Sequence, residues 1–306
     1  MGSELFKFKF IKKEQETLEP VLQTKTSDYQ LTMSDNTFRE LRDVIYQLSG
    51  IYYTDSKKYL LEGRISKRVI ERKLNTFEEY IEFLKSPYSR QEMNQLFEVI
   101  TINETYFFRA EQQFEALEKT IIPELLKSRT GNSNPYFRIW SAASSSGEEA
   151  YTIAILVNEK IKPFFPKVQF QIIASDISNT ALESARRGIY KEYAVRNIPP
   201  AYLNKYFKKQ GTTYILSDEI KNMVKFFNIN LYDQVQTHSI TNCDIIFCCN
   251  VLIYFDIPSK QQVISYLYDA LNKEGYLFIG YSESLHGISK AFKLIHLPKA
   301  MAYKKD

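Results

Sequence analysis

Residues Tyr136 to Ala154 read YFRIWSAASSSGEEAYTIA: a short apolar strand, a turn of small residues, and a helix that opens on two acids. That succession presents a ligand at the carboxyl end of the first strand of a doubly wound α/β domain. The turn, SAASSSGEE, is not the G-x-G-x-x-G of dinucleotide binders. Its small side chains still let backbone N–H groups approach a ligand. Glu148 and Glu149, however, bring two carboxylates to the helix N-terminus, where a pyrophosphate normally sits. A diphosphate is repelled there and a cationic amine is favoured. The other reading keeps the turn ordinary and lets the two acids merely offset the helix dipole.

Downstream, residues 168–175 (VQFQIIAS) read as a buried strand that ends at Asp176, followed by a helix over 179–187 that stops at Gly188. An acid at the tip of the second strand can accept hydrogen bonds from both hydroxyls of a ribose. Asp176 equally suits the cap region of the next helix, a place that Ser178 can fill instead. A nucleoside with a cationic amino-acid end and no phosphate satisfies both acidic positions, and S-adenosylmethionine has that constitution.

The chain has 306 residues, 44% of them hydrophobic, and a formal net charge of +4. Mean hydropathy is -0.33. This leaves room for one large domain and a smaller one. No apolar run approaches a membrane span and the start, MGSELFKFKF, lacks the apolar core of a signal peptide, so a cytoplasmic protein without membrane insertion is expected. Cys243, Cys248 and Cys249 fall along one apolar strand, which indicates neither a disulfide framework nor a metal site. The charge balance is far from that of strongly basic nucleic-acid-binding domains, so nucleic acid is not the expected partner.

Residues 1–33 are polar, lysine-rich and aperiodic, and read as a tail. Helical signals begin at Ser34 and Asp35 and predict helices up to Gly50 and over 56–73, 76–84 and 89–99, an all-α unit spanning 34–100. A linker follows over 101–112. From about Gln113 strands alternate with helices to residue 306, which predicts a parallel-sheet domain. In SKKYLLEGRISKRVIERK, Lys57, Arg64, Arg68 and Arg72, with Lys67 beside them, form a basic stripe next to the apolar stripe of Leu61, Ile65 and Val69. Such a stripe is either a solvated face or an electrostatic footprint for an acidic partner.

In the linker, Asn103, Thr105 and Arg109 supply an amide, a hydroxyl and a guanidinium beside Tyr106, Phe107 and Phe108. A segment crossing the mouth of a pocket uses such groups to bind a carboxylate or an adenosine edge. A hinge with aromatic packing has the same composition. VKFFNINLYD (224–233) and CDIIFCCNVLIYF (243–255) read as the third and fourth parallel strands, tipped by Asn230 with Leu231 and by Asn250 with Val251, with Tyr254 just past the fourth. Asparagine at a strand tip can bond an adenine edge or a carboxylate while its apolar neighbour packs on the ring. It is also common turn chemistry. A helix over 259–272, a fifth strand in YLFIGYSES, and FKLIHL with AMAYKK as a closing antiparallel hairpin complete the pattern.

Taken in series, GIYYTDSKKYLLEGRISKR, NETYFFR, IWSAASSSGEEAY, ASDIS with ARRGIY, FFNINL, CNVLIYF and GYSES resemble the CheR family, the chemotaxis-receptor protein-glutamate O-methyltransferases, over roughly residues 34–304. The resemblance implies an α/β class I S-adenosylmethionine-dependent methyltransferase with a Rossmann-like, mostly parallel seven-stranded sheet. It also implies an N-terminal all-α substrate-recognition domain and a β-subdomain inserted at about 189–227. The implied reaction moves a methyl group from S-adenosyl-L-methionine to glutamate side chains of chemotaxis receptors, giving glutamyl methyl esters and S-adenosyl-L-homocysteine.

Carried over position by position, Asn103, Thr105 and Arg109 contact the S-adenosylmethionine side, and Glu149, with Glu148 beside it, lies by the methionine moiety. Asp176 binds the ribose, Asn230 with Leu231 frames the adenine, and Asn250 with Val251 lines the pocket near the donor methyl. Arg109 and Tyr254 position the accepting carboxylate. Under the same resemblance, Lys57, Arg64, Lys67, Arg68 and Arg72 meet the cytoplasmic coiled coil of a receptor, and the enzyme acts as a monomer. One departure stands out: the position before Asn250 is usually basic in the family and is Cys249 here. A glycine pair in the β-subdomain loop marks members that dock on a receptor tail peptide. KKQGTTY has only Gly211, so a tail-independent enzyme is expected. Two other classes stay open on the residues: a same-fold methyltransferase acting on a small molecule or nucleic acid, and a non-enzymatic S-adenosylmethionine-binding receptor adaptor, which Cys249 favours.

Overall fold

The computed structural model describes residues 31–128 and 136–306. The first 30 residues of the expected tail lie outside the described residues. Its last part is packed: Met33 is buried and its N–H donates to Glu62 Oε2 at 3.2 Å. Ser34 then caps α1 (Asp35–Ser49) by accepting the N–H of Thr37 at 3.1 Å, and Gly50 ends the helix in the left-handed region at φ 71°. A Cβ on Gly50 would lie 2.5 Å from the Tyr232 ring, so glycine is needed there both for the bend and for the close approach. α2 (Lys58–Glu71), α3 (Phe77–Lys85) and α4 (Arg90–Ile100) complete the helical unit. Leu61, Ile65 and Val69 face its core.

The basic stripe divides. Arg68 turns inward: its Nε and Nη2 each donate to Glu92 at 2.8 Å, Tyr80 donates to the same carboxylate at 2.9 Å, and Glu71 takes a further guanidinium N–H. Arg68, expected on the receptor-facing stripe, is thus buried and engaged within the helical unit. The reason is rotation: each step of four along a helix advances about 40°, so Arg68, seven residues past Leu61 and three past Ile65, shares their face. Arg64 donates to the carbonyl of Ile100 at 2.8 Å, and the Arg72 guanidinium lies 4.2 Å over the Phe83 ring. Lys57 and Lys67 are exposed.

α5 (Glu111–Ala116) continues through a π turn into α6 (Ile122–Ser128). The sheet domain then runs β1 (Tyr136–Ala142), α7 (Glu148–Leu156), β2 (Gln169–Asp176) and α8 (Asn179–Arg187). β3 (Ile189–Lys191), α9 (Glu192–Val195), α10 (Pro200–Tyr206), β4 (Phe207–Gln210), β5 (Thr213–Leu216) and α11 (Asp218–Lys221) follow. β6 (Val224–Asn228), α12 (Gln234–Thr237), β7 (Cys243–Cys248), α13 (Ile257–Ala270), β8 (Leu271–Ile279), β9 (Phe292–Leu297) and β10 (Ala300–Lys305) end the chain.

The main sheet has the order β6-β2-β1-β7-β8-β10-β9. Its first five strands are parallel, and β10 and β9 close it as an antiparallel hairpin. β3, β5 and β4 form the separate antiparallel sheet of the insert. That insert ends earlier than expected, because β6 already pairs with β2 from Val224. The strands expected over 224–233 and 243–255 are also shorter. Asn228 pairs with Asp176, the last residue of β2, and Cys248 with Ile279, the last of β8, so beyond those points no ladder partner exists. Asn230 and Asn250 consequently sit in loops above the sheet, and Tyr254 ends a short 3-10 turn, Leu252–Tyr254.

Successive residues along the strands alternate between two cores. Ile139, Ile245, Phe247 and Phe278 pack with α5 to α7 on one face, and Trp140, Ile246, Cys248 and Leu277 with α13 on the other. The second core runs on without a break into Phe38, Leu41 and Ile65 of the helical unit. Arg68→Ala strands the buried Glu92 carboxylate and is expected to cost about 3–5 kcal/mol of stability. Lys67→Ala is expected to stay within about 0.5 kcal/mol. Urea unfolding of the two variants measures both, and equal effects would show that Arg68 is not a buried ion-pair partner.

Candidate active site

The strand order reverses between β2, β1 and β7, and at their carboxyl ends lies a cleft of about 1090 Å³ including its open mouth. The strand tips form its floor, Ser49, Ile51 and Ile100 of the helical unit form one wall, and the linker segment 101–106 crosses it. The helical unit is fastened to the rim at several points. Asn230 Nδ2 donates to the carbonyl of Leu48 at 2.7 Å, Ile51 bridges Phe255, and the N–H of Tyr52 donates to the carbonyl of Tyr254 at 2.9 Å. Glu98 on α4 accepts from Ser178 Oγ at 2.5 Å and from the N–H of Thr180 at 3.1 Å.

The turn after β1 is tightly wound, with Ala143 and Ser145 at φ 61° and 52° and Gly147 at 92°. A Cβ on Gly147 would stand 2.9 Å from Ala185 Cβ. Asp176 anchors this turn: Oδ2 accepts the N–H of Ser145 at 2.8 Å and Oδ1 that of Ser178 at 2.9 Å. Ser178, not Asp176, caps α8 by accepting the N–H of Ala181 at 3.0 Å. Burial pushes the Asp176 carboxyl above its ordinary value, against the pull of these backbone bonds. Each oxygen can still accept a second hydrogen bond from a ligand.

Ser144 and Ser145 also line the cleft, and their buried hydroxyls have no hydrogen-bond partner among the described residues. Hydroxyls left free in a cleft can bond a polar ligand group. In the sequence both read as small turn residues; their burial at the cleft without a partner marks them out.

The two acids at the start of α7 separate. Glu149 faces the cleft and accepts from Ser141 Oγ at 2.7 Å. Burial pushes its carboxyl up to about 7, opposed by Ser141, the Cys249 thiol and Arg109. Glu148 is not among the cleft-lining residues; it is buried against the helix and accepts from Ser146 Oγ at 2.8 Å. Adjacent helical residues diverge by about 100°, so one of the pair had to turn away. Of the two acids expected beside the methionine moiety, the structure brings Glu149 to the cleft and not Glu148.

Asn103, Thr105, Arg109, Asn230, Leu231, Asn250, Val251 and Tyr254 all line the same cleft. The side chain of Asn230 is partly engaged, donating to Leu48 and accepting the N–H of Tyr232 at 3.1 Å, which leaves one N–H and one lone pair for a ligand. Arg109 is exposed at the mouth and donates one N–H to the carbonyl of Glu104 at 2.8 Å. Burial raises the pKa of half-buried Tyr254 despite the nearby Arg64 and Arg109, so its phenol stays protonated at neutral pH and can donate. Cys249 contacts Gln113 Oε1 at 3.6 Å, and burial beside Glu149 lifts its thiol well above the usual range. It supplies no charge.

This set of groups fits S-adenosylmethionine: an acid for a ribose, an acid for an α-ammonium, unpartnered hydroxyls, and a buried carboxylate at the α7 N-terminus where a dinucleotide binder would place a diphosphate. Fold and site together define a class I S-adenosylmethionine-dependent methyltransferase. Residues 36–101 match the family described as CheR methyltransferase, all-alpha domain, and residues 103–301 that described as CheR methyltransferase, SAM binding domain. The chain belongs to the CheR methyltransferase family.

It is similar to chemotaxis protein methyltransferase 2 of Vibrio cholerae, with 35% identity over 90% of this chain and 95% of that one. The chemotaxis protein methyltransferase of Borreliella burgdorferi is 34% identical over 84% of this chain and 91% of its own length. A solved magnesium protoporphyrin IX methyltransferase (ChlM) from Synechocystis with bound SAM covers 74% of this chain and 94% of its own, at 12% identity and a TM-score of 0.33. Among the described residues no helix is long and apolar enough to cross a membrane.

A cation beside Glu149 favours its ionised form, so below pH 7 ligand binding must release the proton that the free carboxyl holds. Affinity for S-adenosylmethionine is expected to be flat above about pH 7 and to fall by up to about tenfold per pH unit below it. Glu149→Gln should remove the slope. Calorimetric titration from acid to neutral pH reads this, and a flat wild-type profile would sink the assignment of Glu149 to the ammonium.

Proposed function

We propose that this enzyme methylates glutamate side chains of chemotaxis receptors, acting as a monomer in the cytoplasm on the receptor's coiled coil. The observation that carries this reading is that Arg109 and Tyr254 line the same cleft as Glu149 and Asp176, a guanidinium and a protonated phenol beside the nucleoside-binding acids. S-adenosylmethionine supplies a methyl group on a sulfonium, whose displacement by a carboxylate oxygen leaves a thioether and moves no proton. A glutamate carboxyl of ordinary pKa, about 4.3, is already an anion at neutral pH and needs no general base. Arg109 attracts and orients that anion, Tyr254 donates a hydrogen bond to one oxygen, and the linker limits water. Asn103 and Thr105 serve the cofactor from the linker, Asn230 with Leu231 frames the adenine, and Asn250 with Val251 lies near the transferred methyl.

Residues 34–100 are the receptor-recognition domain in this reading. Lys57, Lys67 and Arg72 offer the exposed charge on or next to α2, while Arg64 supports the linker from beneath Ile100. Exposed cations act through long-range attraction, so their effect weakens with salt.

Incubation with labelled S-adenosylmethionine and a receptor cytoplasmic fragment should give a product that releases methanol in alkali, the behaviour of a glutamyl ester. A base-stable product would overturn the acceptor assignment. Combined Lys57→Glu and Lys67→Glu is expected to raise the KM for the receptor roughly tenfold at low salt, with cofactor affinity unchanged. Equal loss of both would show that α2 does not face the receptor.

A further inference from the structure

β8 ends at Ile279, paired with Cys248, and Gly280 opens the turn GYSE. At the end of that turn Glu283 folds its carboxylate back over two loops. Oε2 accepts the N–H of Gly280 at 2.6 Å and that of Asn250 at 2.9 Å, and Oε1 accepts the N–H of Ile253 at 3.2 Å. One side chain thus ties the tip of β8 to both ends of the segment 250–253, which leads directly into Tyr254. Asn250 holds a left-handed φ of 61°, which asparagine adopts more readily than other residues bearing a Cβ, and the Glu283 carboxylate fixes its N–H there. Gly280 makes room for the arrangement, since a Cβ there would lie 2.6 Å from Glu283 Oε2 and 2.7 Å from Asn250 Nδ2. From the opposite side the carbonyl of Tyr254 is held by the N–H of Tyr52. Glu283 itself is not among the cleft-lining residues.

We infer that Glu283 is a positioning residue for methyl transfer, setting the loop 250–254 so that Tyr254 meets the acceptor. The inference rests on the reading that Tyr254 holds the accepting carboxylate. Three N–H groups converging on one anion make charge-assisted bonds. An amide in its place would turn an N–H2 toward N–H donors.

The full-length protein is compared as wild type, Glu283→Gln, Tyr254→Phe and the double variant, with a receptor cytoplasmic fragment as acceptor. Glu283→Gln is expected to lower kcat roughly 10- to 100-fold with S-adenosylmethionine affinity changed less than about threefold. In the Tyr254→Phe background the same change should cost less than about threefold more, because the two act as one unit. Hydrogen exchange at the amides of Asn250 and Ile253 should accelerate in Glu283→Gln. An unchanged kcat per folded molecule, or effects that simply multiply in the double variant, overturns the inference while leaving the acceptor reading intact. A fully active Tyr254→Phe overturns the acceptor reading instead. Exchange then decides the positioning alone: lost protection supports it and unchanged protection overturns it. If Glu283→Gln folds poorly, Gly280→Ala crowds the same carboxylate and carries the same expected split.

Discussion

The N–H groups of Ser145 and Ser178 converge on the carboxylate of Asp176, and the nucleoside end of the cleft depends on that convergence. The turn after β1 holds two non-glycine residues, Ala143 and Ser145, in the left-handed region, each at a cost of about 1–3 kcal/mol. A hydrogen bond to a charged group contributes about 1.5–3 kcal/mol, enough to offset much of that strain when the acceptor is buried. Asp176 therefore shapes the turns after β1 and β2 and still has oxygen lone pairs facing the cleft. Replacing it would deform the pocket along with removing a ligand contact.

The remaining walls of the cleft come from elsewhere in the chain. One apolar core passes from Trp140 and Leu277 into Phe38 and Ile65, so the helical unit is packed onto the sheet domain rather than tethered to it. Polar clasps then set its placement: Asn230 on Leu48, Tyr52 on Tyr254, and Glu98 on Ser178 and Thr180. Two of these clasps use residues that also touch the cleft. The helical unit is thus mechanically linked to the loops that line the cleft.

Much of this was legible in the chain. Periodicity predicted the four N-terminal helices, the parallel strands, and the caps Ser34, Gly50 and Gly188, because these are local consequences of spacing and backbone preference. The acids, amides and linker groups that converge on the cleft were legible as types at strand tips, since a doubly wound topology brings strand ends together whatever lies between them. Less visible was the direction of individual side chains. Arg68 was expected on a receptor-facing stripe and Glu148 beside the ligand, and both lie buried elsewhere, while Ser144, Ser145 and Glu283 looked like turn residues.

By itself the sequence determined the order of strands and helices, the acidic character of the turn at 141–149, and the set of residues available at the carboxyl edge of the sheet. These follow from short-range patterning, in which each residue's neighbours along the chain suffice. Only the tertiary structure decided which of two adjacent glutamates meets the cleft, which arginine is locked inside the helical unit, and which carboxylate ties the β7 and β8 loops. Those outcomes depend on how the chain packs, as in the Arg68–Glu92 and Glu283–Asn250 contacts, 24 and 33 positions apart, and burial makes each such contact exclusive: a charge that finds its partner inside the protein is no longer available outside it.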